Sequence, residues 1–301
     1  MLTDLPTEII IHEIFSHLDE CSKLVLLNVL WKTPIPKILP NSIQEEICRY
    51  SVNYLNFFHS RLTFSYVSNY LSLYSNLDGI KWSRLHGYFW DEDTSANAAR
   101  CGNLELLKWV KENGCLWDVS TCSSAAEGGH LELLQWAYSN GCPWNELTCT
   151  YAAKNGHLHI IQWARSHGCP WDEDTCETAS FYGHFTLLKW LRKTGCPWDK
   201  KVCVYASYNG HLDILKWSIE NNCPCDGEIC TYASFNGHLH VIKWARENGF
   251  PWDQRICEAA AIGGHLELLK WATDNGCPWD KTKSEYGKYG GHENVIKWIR
   301  D

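Results

Sequence analysis

Cysteine and histidine have the most chemistry open to them in this chain, and both recur on a fixed spacing. The 301 residues include 16 cysteines and 14 histidines. Cysteines pair seven residues apart, as in Cys142/Cys149 and Cys169/Cys176, and His130, His157 and His184 each follow a glycine nearby. Thiolates and imidazoles at regular intervals invite a structural zinc reading. Structural zinc needs four converging ligands, commonly with cysteines only about two to four residues apart, which a seven-residue gap does not supply. Phe250 and Ser284 also occupy cysteine positions without upsetting the register, so no metal is expected. A disulfide framework suits short secreted chains. Here the cysteines sit in a lattice with its own apolar core, so reduced, buried thiols are expected. Cys223-Pro224-Cys225 is the one irregular cluster, readable as drift from tryptophan or as a reactive or metal-binding spot. The chain has no GxSxG, no GxxxxGK[ST] and no HExxH. Its acids are spread at repeat spacing, so neither an enzyme nor a cofactor is expected.

The lattice that positions these residues is most legible from Gly129 to Cys149, GHLELLQWAYSNGCPWNELTC. A tryptophan returns every 27 residues, at Trp82, Trp109, Trp136, Trp163, Trp190, Trp217, Trp244, Trp271 and Trp298. A second follows eight residues later, from Trp90 to Trp279, with Cys225 filling its slot once. An unbroken period over this length is the signature of a stacked-repeat solenoid, here of about nine copies. Within one copy, Leu131, Leu133, Leu134, Trp136 and Ala137 form an apolar helical stripe. Asn140-Gly141 ends that helix, Cys142-Pro143-Trp144 is an extended loop, and Asn145 caps the next helix. That helix, Thr148 to Asn155, is expected to be the shorter of the two, with small residues that let its neighbour approach. The histidine after the glycine is expected to order its turn by hydrogen bonding. Two buried tryptophans per copy, each hiding about 150–250 Å², would hold the short repeat together.

The AAxxGHLExxxWxxxxG pattern resembles the ankyrin repeat, with CPWD where that family has its Ala-Asp-Val-Asn loop. The period is 27 rather than about 33, and Thr-Pro-Leu-His is absent. The missing residues fall in the family's β-hairpin, so long protruding fingers are not expected. The resemblance spans residues 73–301, and the combination resembles the short, tryptophan-rich arrays of large DNA viruses and protists. It implies an all-α, ankyrin-like solenoid of helix–turn–helix repeats. Ser284, Gly287 and Glu293 replace a cysteine, an alanine and a leucine of the pattern. Residues 280–301 therefore read as a polar C-terminal cap, with the array ending at Asp301.

Residues 1–40 differ in kind. Leu5 to Leu18, LPTEIIIHEIFSHL, forms an amphipathic helix pattern, and a second run, Leu24 to Leu30, closes on Trp31 before Pro34, Pro36 and Pro40. Leu5-Pro6, Glu8-Ile9 and Ile14-Phe15-Ser16-x-Leu18 resemble an F-box, with one extra residue before Ile14 and no cysteine before Trp31. That resemblance implies that Leu5, Pro6, Ile9, Ile14, Phe15 and Leu18 engage a Skp-type adaptor of a cullin–RING ubiquitin ligase. The other reading is a two-helix cap on the array. Residues 41–72 read as a helical connector or degenerate repeat, and Ser75–Trp82 as a first, worn repeat.

The net charge of −8 argues against a nucleic-acid-binding surface. No apolar run reaches membrane-helix length and the N-terminus lacks a basic region, so an intracellular, cytoplasmic, monomeric protein is expected. The repeats align with one another, and the positions that vary among them carry the information about binding. In ankyrin arrays the two residues after the alanines line the concave face. Here they read Glu127-Gly128, Lys154-Asn155, Phe181-Tyr182, Tyr208-Asn209, Phe235-Asn236, Ile262-Gly263 and Tyr289-Gly290. Phe181, Tyr182, Tyr208, Phe235, Ile262 and Tyr289 therefore form a candidate protein-binding stripe. They could instead fill the seam left by the lost hairpin. Tyr151, Tyr205 and Tyr232, one turn earlier, are expected in the core, and Asp172–Asp174, Asp199–Lys201 and Asp253–Arg255 on a polar rim.

Overall fold

The computed structural model describes residues 67–279 and 291–300. Leu5, Pro6, Ile9, Ile14, Phe15 and Leu18, the rest of the F-box-like stretch, and Tyr289 lie outside the described residues. Every regular element among the described residues is a helix, seventeen in all. The residues fall into two compact parts, one ending at Trp144 and the other beginning at Asn145.

The first part holds α1 (Val67–Leu73), α2 (Leu77–Leu85), α3 (Glu92–Arg100), α4 (Leu104–Glu112), α5 (Val119–Glu127) and α6 (Leu131–Ser139). The second holds α7 (Glu146–Lys154), α8 (Leu158–Ser166), α9 (Glu173–Phe181), α10 (Phe185–Lys193), α11 (Lys201–Tyr208) and α12 (Leu212–Glu220). It continues with α13 (Glu228–Phe235), α14 (Leu239–Glu247), α15 (Gln254–Ile262), α16 (Leu266–Asp274) and α17 (Glu293–Arg300). Odd-numbered helices from α3 to α15 open a repeat and even-numbered ones close it. Helix α1 packs against α2 and α3.

Both helices of a repeat have eight or nine residues, so the expected shorter first helix is not found. It starts earlier than its apolar pattern suggests. The Asn145 side chain accepts from the Leu147 amide, and the helix runs from Glu146. Its alanines are small enough for successive first helices to pack on one another, α7 on α9, α9 on α11 and onward. The core is aliphatic, alanine and cysteine. Leu187, Leu188 and Leu191 of α10 and Cys203 and Ala206 of α11 are almost fully enclosed.

Two backbone reversals close each repeat. The second helix α10 ends at Gly195 (φ +89), and Asn222 (φ +62) takes the same place after α12, a left-handed position that asparagine tolerates. The turn between α11 and α12 runs through Gly210 (φ +73). The histidine after this turn does more than order it. His238 Nε2 lies 2.9 Å from the Tyr208 carbonyl, and His184, His211 and His265 reach Lys154, Phe181 and Phe235 in the same way. Each histidine therefore reaches 30 residues back to the last turn of the preceding first helix, satisfying a carbonyl that has no helical partner.

The tryptophans are enclosed less fully than expected, Trp82 and Trp90 excepted. Most are half-buried, and they form a ladder on the side of the second helices. A loop tryptophan meets the next repeat's helical one edge-on, as in Trp171–Trp190 (6.2 Å) and Trp198–Trp217 (5.8 Å). Arg165 and Arg192 lie over Trp171 and Trp198 at 4.0 and 4.1 Å from the ring centroids. The rings still join neighbouring repeats, but most keep part of their surface exposed and several lie beneath cations.

Candidate functional site

The first helices carry the aromatic residues singled out by their variation. Phe181 and Tyr208 are half-buried at the ends of α9 and α11, and Ile262 is half-buried at the end of α15. Tyr182 and Phe235 are 46% and 43% exposed. The structure brings Phe181 and Tyr208 together, their rings stacked at 6.0 Å and 23°. Phe181 also meets Tyr182 at 5.0 Å and Tyr205 at 5.5 Å, both edge-to-face.

Tyr205 and Tyr232 are not core residues. Tyr205 is half-buried beside Phe181, while Tyr232 is 40% exposed and 6.3 Å from Tyr208. Each lies three residues before a stripe residue on its own helix, a spacing that places both on one face. Tyr151 is likewise half-buried.

Two depressions open along this face. One, of about 360 Å³, is lined by Thr150, Asp174, Glu177, Thr178, Phe181, Tyr182 and Tyr205. The other, of about 330 Å³, is lined by Tyr208, Thr231, Tyr232, Phe235, Arg255, Glu258, Ala259 and Ile262. The expected polar rim is a set of charged contacts. Lys201 Nζ is 3.1 Å from Glu177 Oε1, Lys200 bridges Asp226 and Glu228 at 3.1 and 2.9 Å, and Arg255 holds Asp253 at 2.7 Å. The Glu177 side chain is only 5% exposed. Burial pushes its carboxyl up to about 7 against the pull of Lys201, with Asp199 and Asp174 adding to the rise. Asp172 is raised by burial and then by Asp174, Glu173 and Glu146. Asp174 and Glu177 therefore stand together at this end of the stripe, with Lys201 held by Glu177.

The thiols pair differently from their order in sequence. Cys149 Sγ lies 4.0 Å from Cys169 Sγ, twenty residues on, rather than beside Cys142. Each loop thiol also donates to the carbonyl of the residue that opens its own repeat, Cys169 to Asn145 and Cys196 to Asp172, both at 3.4 Å. All cysteines among the described residues are free, and only Cys101 and Cys225 are not buried. The contact with Cys169 and burial both raise the Cys149 thiol, which stays protonated. Among the described residues no group of three or more histidine, cysteine or acidic side chains is placed to hold a metal. No helix among them is long and apolar enough to cross a membrane.

The pattern of paired helices, glycine turns and histidine staples has a match among known families. A family model for ankyrin repeats occurring in many copies matches residues 122–165 and 203–246. These stretches are ankyrin repeats. The remaining repeats keep the same 27-residue register and helix pairing, so the helical array is ankyrin-like throughout the described residues. No curated protein matches the chain. Ankyrin repeats indicate a protein-binding role, and Tyr182, Tyr232 and Phe235 keep exposed aromatic side chains on the face of the first helices.

Proposed function

We propose that this chain holds a target protein along the Phe181, Tyr182, Tyr208, Phe235 and Ile262 stripe, extended by Tyr205 and Tyr232. Tyr289 continues that stripe by register. One observation carries the reading: half-exposed aromatic side chains on successive first helices line two adjoining depressions. Rigid aromatic groups that keep exposed area are what protein interfaces use as anchors. Seam-filling accounts less well for Tyr182, Tyr232 and Phe235, which leave two-fifths or more of their surface to water.

The finer proposal is a substrate-recruiting adaptor of a cullin–RING ubiquitin ligase, acting inside the cell. Its support is the sequence of residues 1–40, where Leu5, Pro6, Ile9, Ile14, Phe15 and Leu18 match an F-box pattern. The array would hold the target while the N-terminal region docks the Skp-type adaptor, and no bond would be made or broken on this chain. The departures from F-box spacing favour a second reading, a stand-alone ankyrin scaffold. Co-purification of the full chain with a Skp-type adaptor separates them. Binding lost in Leu5→Ala/Pro6→Ala supports the ligase role; no binding, or binding indifferent to that change, leaves the scaffold. Phe181→Ser/Phe235→Ser tests the stripe, and unchanged target affinity in a normally folded variant refutes it.

A further inference from the structure

The two depressions differ in chemistry, and the difference describes the partner. The one at α9 has carboxylates and no cation in its lining: Asp174 and Glu177 stand with Phe181, Tyr182 and Tyr205. Glu177 is already bound by Lys201, which sits outside that lining. Asp174 is exposed, and its carboxylate makes no hydrogen bond or ion pair among the described residues. Asp174, Glu173 and Glu146 also act together on the Asp172 carboxyl at the start of the same helix. The neighbouring depression is walled mainly by Tyr208, Tyr232, Phe235 and Ile262, with Glu258 and the Asp253-bound Arg255 completing its lining.

Aromatic rings present a negative face, and a cation near such faces and beside a carboxylate is attracted by both. An anionic or neutral group in that position would meet Asp174 unpaired. We infer, building on the stripe reading above, that the Phe181–Tyr182–Tyr205–Asp174 depression takes a lysine or arginine side chain of the partner. The held segment is then basic, with an aliphatic or aromatic residue entering the Tyr208–Tyr232–Phe235–Ile262 hollow beside it. Recognition divides between the two hollows: apolar area supplies grip in one, and charge selects the segment in the other.

Selection of random dodecapeptides displayed against the full chain tests this directly. Enriched peptides should carry a lysine or arginine close to a large apolar residue. Replacing that cation by norleucine in a synthetic copy should weaken binding about tenfold, as should Asp174→Asn, and the two losses should not add. Asp174 is exposed, so Asp174→Asn leaves the core untouched. Enriched peptides without a cation, or a norleucine loss equally large on Asp174→Asn, would overturn the inference. A selection that yields no binder overturns it as well. Tyr182→Ser and Phe235→Ser separate the two levels. If they abolish binding of peptides that show no cation dependence, only the cationic pocket is lost. If they leave binding by every enriched peptide unchanged, the stripe falls with it.

Discussion

Gly210 is where the link between neighbouring repeats can be measured as an energy. Its φ of +73 is a left-handed position, and a Cβ there would lie 2.6 Å from His238 Nδ1. Alanine at 210 therefore meets two separate costs. The left-handed backbone costs about 1–2 kcal/mol for any residue with a Cβ. Displacing the His238 ring forfeits its 2.9 Å hydrogen bond to Tyr208, a further ~0.5–1.5 kcal/mol. Gly195 provides the control, since it has φ +89 and nothing within 4 Å of an added Cβ. Urea unfolding followed by tryptophan fluorescence should rank Gly210→Ala as more destabilising than Gly195→Ala by the hydrogen-bond cost. In a His238→Ala background the ring is gone, and Gly210→Ala should fall to about the 1–2 kcal/mol backbone cost alone. An equal cost of Gly210→Ala in both backgrounds would refute the idea that glycine is required there to admit the next repeat's histidine.

Two further outcomes follow from buried groups. Glu177 sits at about 7 against an ordinary 4.5, so the folded state binds its proton more tightly than the unfolded chain does. Stability is then greatest below pH 4.5 for this group and declines as pH rises to 7, by about 3 kcal/mol when both states are ionised. Thermal melts of Glu177→Gln against wild type should diverge over that window, and a gap that does not change with pH contradicts the assignment. Among the cysteines of the described residues, native thiol labelling should modify Cys101 and Cys225 first, because these two are not buried. Labelling of Cys149 at the same rate under native conditions would contradict the enclosed thiol pairs.

Much of the repeat was legible in the sequence because it rests on local rules. The 27-residue register, the caps such as Asn145 and the glycine reversals follow from neighbours within one turn of helix. The Phe181-to-Ile262 stripe was also visible, since the repeats serve as an alignment of the chain with itself. What escaped depends on folding back. Cys142 and Cys149 are seven residues apart across an extended loop, whereas the loop brings Cys169 back onto the first helix of its own repeat. The histidine's partner lies 30 residues upstream, beyond any local pattern. Tyr205 and Tyr232 looked like core because they sit one turn inside their helices, yet the helix face they share with Tyr208 and Phe235 opens outward. The tryptophans looked buried because they are large and regular. Their side of the helix pair is covered by one another, by other rings and by arginine and lysine side chains, so most keep part of their surface in water.

The most direct test asks which face of the array touches its ligand. A photo-crosslinking amino acid placed at Tyr182, on the aromatic face, can be compared with one at Gln162, exposed on the second helix α8. With a selected peptide bound to the full chain, crosslinks should form from position 182 and not from 162. Crosslinks from 162 alone would place binding on the tryptophan side and contradict the assignment of the stripe.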